Sequence, residues 1–133
     1  MSKEQENLAL LRQIHQAQSY QQAIATALAD DVEWWAAGSS DQLPWAGIFY
    51  GPAGKDEWSR RLNSLIEYET FETPEYIAQD DQVVTVIRAA GHAIPTGRAF
   101  ESEIVRIYTL HEGKIIRVRS YYDTAAYVAA LRV

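Results

Sequence analysis

Two residues in the last quarter of the chain have types suited to chemistry: Arg106 in "EIVRIYTL" and Asp123 in "RSYYDTAAYVAAL". A partly buried carboxylate can hold and transfer a proton near neutrality. An arginine offers planar, bidentate hydrogen bonds to a carbonyl or anionic oxygen. Together they suit acid/base chemistry beside a carbonyl, with Asp123 moving the proton and Arg106 stabilising the oxygen. Each has a plainer reading. Asp123 stands where it would cap the helix "TAAYVAAL". Arg106 could pair with Glu101 or Glu103 across the sheet, or face a dimer contact. The sequence leaves both pairs of readings open.

Around them stand groups able to line a pocket. Tyr50, Tyr108 and Tyr122 can donate to a ligand oxygen. Ser120 shares strand parity with Tyr122. Trp34, Trp45 and Trp58 can pack on a planar ligand or simply fill the core. Trp45 sits in the loop "LPWAG", where specificity residues often lie. His92, before the "PTG" loop, is a further acid/base candidate or a strand-end surface histidine. His15 and His111 read as exposed. With no cysteine and three scattered histidines, no metal site is expected, and no organic cofactor is implied.

These groups need elements to position them. Leu8, Leu11 and Ile14 repeat at helical spacing and predict a helix over residues 3–17. Ser19 reads as the N-cap of a second helix, "YQQAIATALA", which Asp30 and Asp31 close. Val32 to Ala37 read as a short strand, and "SSDQLPWAGIFYGPAG" as a loop. Pro52 suits the first turn of a third helix, "PAGKDEWSRRLNSLIEY", with Trp58, Leu62 and Leu65 on its buried face. The period then changes from helical to alternating. "TFETPEYIAQD" reads as an edge strand interrupted at Pro74. "VVTVIRAAGHAI", "RAFESEIVRIYTL" and "IIRVRSYY" read as strands, the last two joined by the hairpin turn "HEGK". In the middle strand Phe100, Ser102, Ile104, Arg106, Tyr108 and Leu110 share one face. Helices followed by hairpin-linked strands predict an α+β fold, with a curved, mainly antiparallel sheet over the helices and a cavity between them.

Composition limits the partners. The 133 residues suit a single domain spanning 1–133, and the net charge is −6 with no basic run. Nucleic acid and anionic membrane are therefore not expected. The polar N-terminus is no secretory signal, and no apolar run approaches the roughly 18 residues of a membrane span. A soluble, cytoplasmic protein is the expectation.

"ALADDVEWWAAG", "LPWAGIFYGPAG" and "PTGRAFESEIVRIYTLHEGKIIRVRSYYDTAAYVAAL" resemble the SnoaL-like branch of the nuclear transport factor 2-like superfamily, over residues 8–131. That superfamily includes ketosteroid isomerase, SnoaL-type polyketide cyclases and limonene epoxide hydrolase. The resemblance implies a cystatin-like, cone-shaped α+β barrel with a short C-terminal helix. It also implies a pocket for a small hydrophobic or carbonyl-bearing molecule and a homodimer formed through the sheet. It does not imply one reaction, because this fold hosts many functions. Where the isomerase would carry its base, this chain has Trp34, Trp35 and Ala36, and Arg106 stands where its donor carboxyl would be. The acid/base aspartate of the SnoaL-type cyclases resembles Asp123 in "YYDT".

Overall fold

A computed structural model describes residues 2–133. Helix α1 (Lys3–Gln16) opens on a reciprocal cap: Ser2 Oγ accepts from the Gln5 amide at 3.1 Å and Gln5 Oε1 from the Ser2 amide at 3.0 Å. Its buried stripe is Leu11 and Ile14. Helix α2 (Tyr20–Ala27) starts at the expected Ser19 cap and buries Ile24 and Ala27. Asp30 and Asp31 do not close this helix. They lie inside strand β1 (Leu28–Ala36), which begins directly after Ala27.

The Gly- and Pro-rich segment expected as a loop contains a short strand, β2 (Gly47–Tyr50), paired antiparallel with β1. Helix α3 (Gly51–Leu65) has Pro52 in its first turn and buries Lys55, Trp58 and Leu62. It stops three residues short of the expected end, because Ile66 enters strand β3 (Ile66–Phe71). Beyond Pro74 comes β4 (Glu75–Gln79). Both strands line one edge of β5 (Gln82–Ala93), β3 against its C-terminal half and β4 against its N-terminal half. Proline cannot donate to the ladder, so the break falls between the two. Strands β6 (Ala99–His111) and β7 (Lys114–Tyr122) form the expected hairpin, with Gly113 at φ 76°. Helix α4 (Thr124–Leu131) closes the chain.

The sheet order is β2-β1-β7-β6-β5-β3, with β4 also on β5. Only the β1–β7 pair is parallel. This is the expected α+β architecture. One irregularity bends the edge of the sheet. The β3–β5 register slips between Tyr68 and Thr70, opposite Gly91. A Cβ on Gly91 would sit 2.2 Å from the Glu67 carbonyl oxygen, so only glycine lets the two backbones come this close. Such bulges bend the bulged strand. Next to this irregularity, Ile66, Glu67, Tyr68 and Phe71 of β3 line an interior that α1, α3 and the sheet bound.

A candidate site inside the cone

Alternation along β6 sends Phe100, Ser102, Ile104, Tyr108 and Leu110 into the interior, and Arg106 with them. The cavity that Arg106 reaches has a volume of about 1120 Å³ and is lined by α1, the start of α2, α3, β3 and the segment after it, with Tyr76 of β4, Ile87 of β5 and Arg106 of β6. Most of its wall is apolar or aromatic, with Trp58, Leu62, Ile66, Tyr68, Phe71 and Tyr76 contributing.

Arg106 is the cation that the sheet contributes to this wall. Its Cζ lies 5.5 Å from the Trp58 ring centroid and 6.0 Å from that of Trp34. Its Nε reaches Ser120 Oγ and its Nη1 the Tyr20 hydroxyl, both at 3.5 Å, the long limit of a hydrogen bond. No carboxylate pairs with it among the described residues. A guanidinium carries five N–H donors, so most of this capacity is open to the cavity.

His15 faces the same space. The sequence reading placed it on the surface, but four residues after Leu11 it shares the buried stripe of α1. Its Nδ1 lies 2.8 Å from the Leu11 carbonyl oxygen and must donate to it, since a carbonyl only accepts. Nε2 is buried with no partner. The ring packs against Tyr20 and Tyr76, each at 5.7 Å, and Tyr108 at 6.4 Å. Burial lowers its pKa below the ordinary histidine value. The Leu11 hydrogen bond opposes that shift and the charge of Arg106 adds to it. His15 is therefore neutral at pH 7, with the Nε2 lone pair free to accept a proton. The hydroxyl of fully buried Tyr108 also has no partner.

Lys55 adds a second cation behind this wall. It lies three residues before Trp58 on the buried face of α3. Its Nζ donates to Gln21 Oε1, and the nearest carboxylate is the exposed Asp56 at 3.9 Å. Burial lowers its pKa. Asp56 opposes that shift, and repulsion from Arg106 adds to it.

The narrow end is held by aromatic hydroxyls. Trp45 Nε1 donates to Tyr122 Oη at 2.9 Å, and Tyr122 donates to the Ala37 carbonyl. The Tyr68 and Tyr127 hydroxyls share a 2.7 Å hydrogen bond. Burial raises the pKa values of Tyr20, Tyr68, Tyr122 and Tyr127, so all four remain phenols at neutral pH.

Of the residues singled out from sequence, Arg106, Trp58, Trp45, Ser120 and Tyr122 meet at this inner wall. Trp34 packs on Trp58 at 4.9 Å, and Tyr108 on His15. Three others lie elsewhere. Tyr50 precedes α3 and is 64% exposed. His92 lies on β5 and pairs with Glu69 at 2.6 Å and Glu67 at 3.3 Å. Asp123 is exposed and caps α4, accepting from the Ala126 amide at 3.1 Å. It borders an open groove with Arg88, Glu101 and Glu103, apart from the residues that line the cone. The capping reading of Asp123 thus describes its position. Arg106 is tied to neither Glu101 nor Glu103.

The pattern of the SnoaL-like domain matches residues 15–118. The chain belongs to the SnoaL-like domain family. Its fold agrees with a nuclear transport factor 2-like protein from Burkholderia xenovorans at TM-score 0.82 and 28% identity, over 96% of this chain and 97% of the other. TerC, crystallised with polyporic acid, gives TM-score 0.80 and 21% identity over 95% of this chain and 98% of its own. A Bacillus subtilis protein provisionally named an isomerase gives TM-score 0.77 and 16% identity over 98% and 95%. No curated protein matches the chain. Among the described residues of this SnoaL-like chain, no helix is long and apolar enough to cross a membrane.

Proposed function

We propose that this SnoaL-like protein binds a small, mostly apolar, carbonyl-bearing molecule in its cone and transfers a proton beside that carbonyl. The observation that carries the reading is the pairing of an unneutralised Arg106 with a neutral His15 around one aromatic cavity. Once a small turn of the ring opens its buried Nε2 to the cavity, His15 takes a proton from the carbon next to the carbonyl. The C–H electron pair moves onto the carbonyl oxygen, and the Arg106 N–H groups hold the enolate so formed. Return of the proton from His15 to another carbon gives an isomer. Attack of the enolate carbon on a second carbonyl of the same molecule closes a ring: the C=O π pair moves onto that oxygen, which takes the proton held by His15. Asp123 has no part in this scheme, because it lies outside the cone.

The test is α-proton exchange of 2-tetralone in D₂O, followed by NMR. The wild-type protein should accelerate exchange and His15→Gln should lose most of the acceleration, about 10²-fold for a general base. Equal rates for the two proteins would rule out His15 as the base. Binding without any acceleration would leave a non-catalytic binding protein.

We further propose that two copies pair through the outer face of the sheet. The register aligns Ile77, Val84, Ile107, Arg119, Trp35 and Ile48 in one row across five strand pairs. Ile77 and Ile48 are 60% and 47% exposed. A two-fold interface needs such a self-complementary patch. Sedimentation should show a dimer, and Ile107→Glu a monomer; a wild-type monomer at micromolar concentration would defeat the idea.

A further inference from the structure

The reading of the cone as a binding site leaves the kind of molecule open, and the distribution of charge around it narrows the choice. Basic groups approach from three sides: Arg12 and His15 on α1, Lys55 on α3 just outside the lining, and Arg106 on β6. The carboxylates on the cavity lining are Glu67 and Glu72, both solvent-exposed, and Glu67 is engaged by His92. The deep wall formed by Trp45, Trp58, Ile104, Ser120 and Tyr122 contains Arg106 and no acidic residue.

This arrangement is costly to the empty protein. A partly buried cation with no carboxylate partner loses hydration, and the neighbouring phenols and rings return only part of that energy. The neighbouring bases add to the strain. Arg106 repels a proton on His15 and on Lys55, and burial disfavours charge at both. Aromatic rings offset part of the cost, with Trp58 and Trp34 presenting their faces near the guanidinium. What remains unmet is directional: N–H donors of Arg106 with no acceptor beyond two contacts at 3.5 Å.

We infer that the cone selects an anion, namely a small aromatic molecule whose carboxylate or similarly delocalised oxyanion takes two of the open N–H donors of Arg106 and leaves the third for the carbonyl oxygen of the proposed proton transfer. A neutral carbonyl offers one weak acceptor. A carboxylate offers two oxygens spaced to match the guanidinium fork. The aromatic wall receives the apolar body of the ligand. The chain as a whole carries a charge of −6, which repels anions, so a preference for one has to arise locally.

The test compares 2-naphthoate with its neutral isostere 2-naphthamide, titrated into the full-length protein by calorimetry and by quenching of tryptophan fluorescence. The naphthoate should bind at least about tenfold more tightly, from the greater strength of a charge-assisted hydrogen bond. Arg106→Met should erase the difference, bringing the naphthoate affinity down to that of the amide. Equal affinities for the two probes in the wild-type protein would overturn the inference and leave the cone as a site for neutral molecules. A naphthoate preference that survives Arg106→Met would also overturn it. Failure of both probes to bind would reject the inference together with the reading of the cone as a small-molecule site. If Arg106→Met does not fold, the same comparison in Arg106→Gln decides: loss of the naphthoate preference supports the inference and its survival overturns it.

Discussion

Replacing Arg106 by methionine should stabilise the empty protein. Methionine follows the arginine stem to about the Nε position and lacks the three atoms of the guanidinium fork, so the change removes the charge and shortens the side chain into space that already borders the cavity. Arg106 loses two hydrogen bonds at 3.5 Å and its positions 5.5 Å and 6.0 Å from the Trp58 and Trp34 rings. Long hydrogen bonds of this kind contribute little, and each cation–π contact contributes about 0.5–1 kcal/mol, more when dry. Against these stands the cost of holding an unpaired cation inside the cone, several kcal/mol for full burial and less here because the group is half-buried. The methionine also gains by packing on the two indoles. The net expectation is about 1–2 kcal/mol of added stability, within the range seen when buried ions give way to apolar residues. At about 2.1 cal/mol/K per residue, the 133 residues give an unfolding entropy of about 0.28 kcal/mol/K. The melting temperature should therefore rise by about 4–7 °C. Differential scanning calorimetry without ligand reads this directly. A fall in melting temperature would refute the argument and would mean that Arg106 is a structural clamp between Trp34, Trp58 and Ser120, not a group held ready for a ligand.

Three further outcomes follow from the geometry. Gly91→Ala should cost about 3 kcal/mol, since its Cβ would meet the Glu67 backbone; urea denaturation checks this, and binding in the cone should weaken as β3 shifts Tyr68. Asp123→Ala should lose about 1 kcal/mol of stability through the α4 cap and leave 2-naphthoate affinity unchanged, whereas a change of tenfold or so in affinity would contradict its place outside the cone. The pH dependence has two limbs. Tyr20, Tyr68, Tyr122 and Tyr127 have folded pKa values above their unfolded ones, so the stability they contribute is complete below about pH 10 and is lost as pH rises further. Their ionisation, followed at 295 nm, should coincide with unfolding. His15 has a folded pKa below its unfolded one, so it begins to destabilise the fold as pH falls below about 6.5. His15→Gln should flatten that acid limb.

Local patterns in the sequence were enough to place much of this protein. Period-two alternation is a property of the strand itself, so it put Arg106 and Tyr108 on one face of their strand before any neighbour was known. Ser19, Pro52, Gly113 and Asp123 acted through hydrogen bonds or dihedral limits a few residues away, and each marked its boundary. The order of helices and strands fixed the α+β class. The remaining features depend on partners distant in the chain. Residues 47–50 form a strand because β1 supplies the matching edge, although their Gly- and Pro-rich surroundings favour a loop. The Asp30–Asp31 pair can lie in a strand because both side chains remain largely outside the core. His15 and Lys55 were passed over because polar side chains on helices are usually solvated. The spacing from Leu11 and to Trp58 held the signal, but only the bent sheet shows that those stripes close a cone. Asp123 is the converse case. Its type and its neighbours suited both proton transfer and capping, and the choice fell to where α4 begins: outside the cone, with the carboxylate turned to the helix amide. Sequence thus determined which groups this chain has and which face of their own element they occupy, because those are short-range properties. Which of them share one low-dielectric space is a long-range property, and tertiary structure alone decided it.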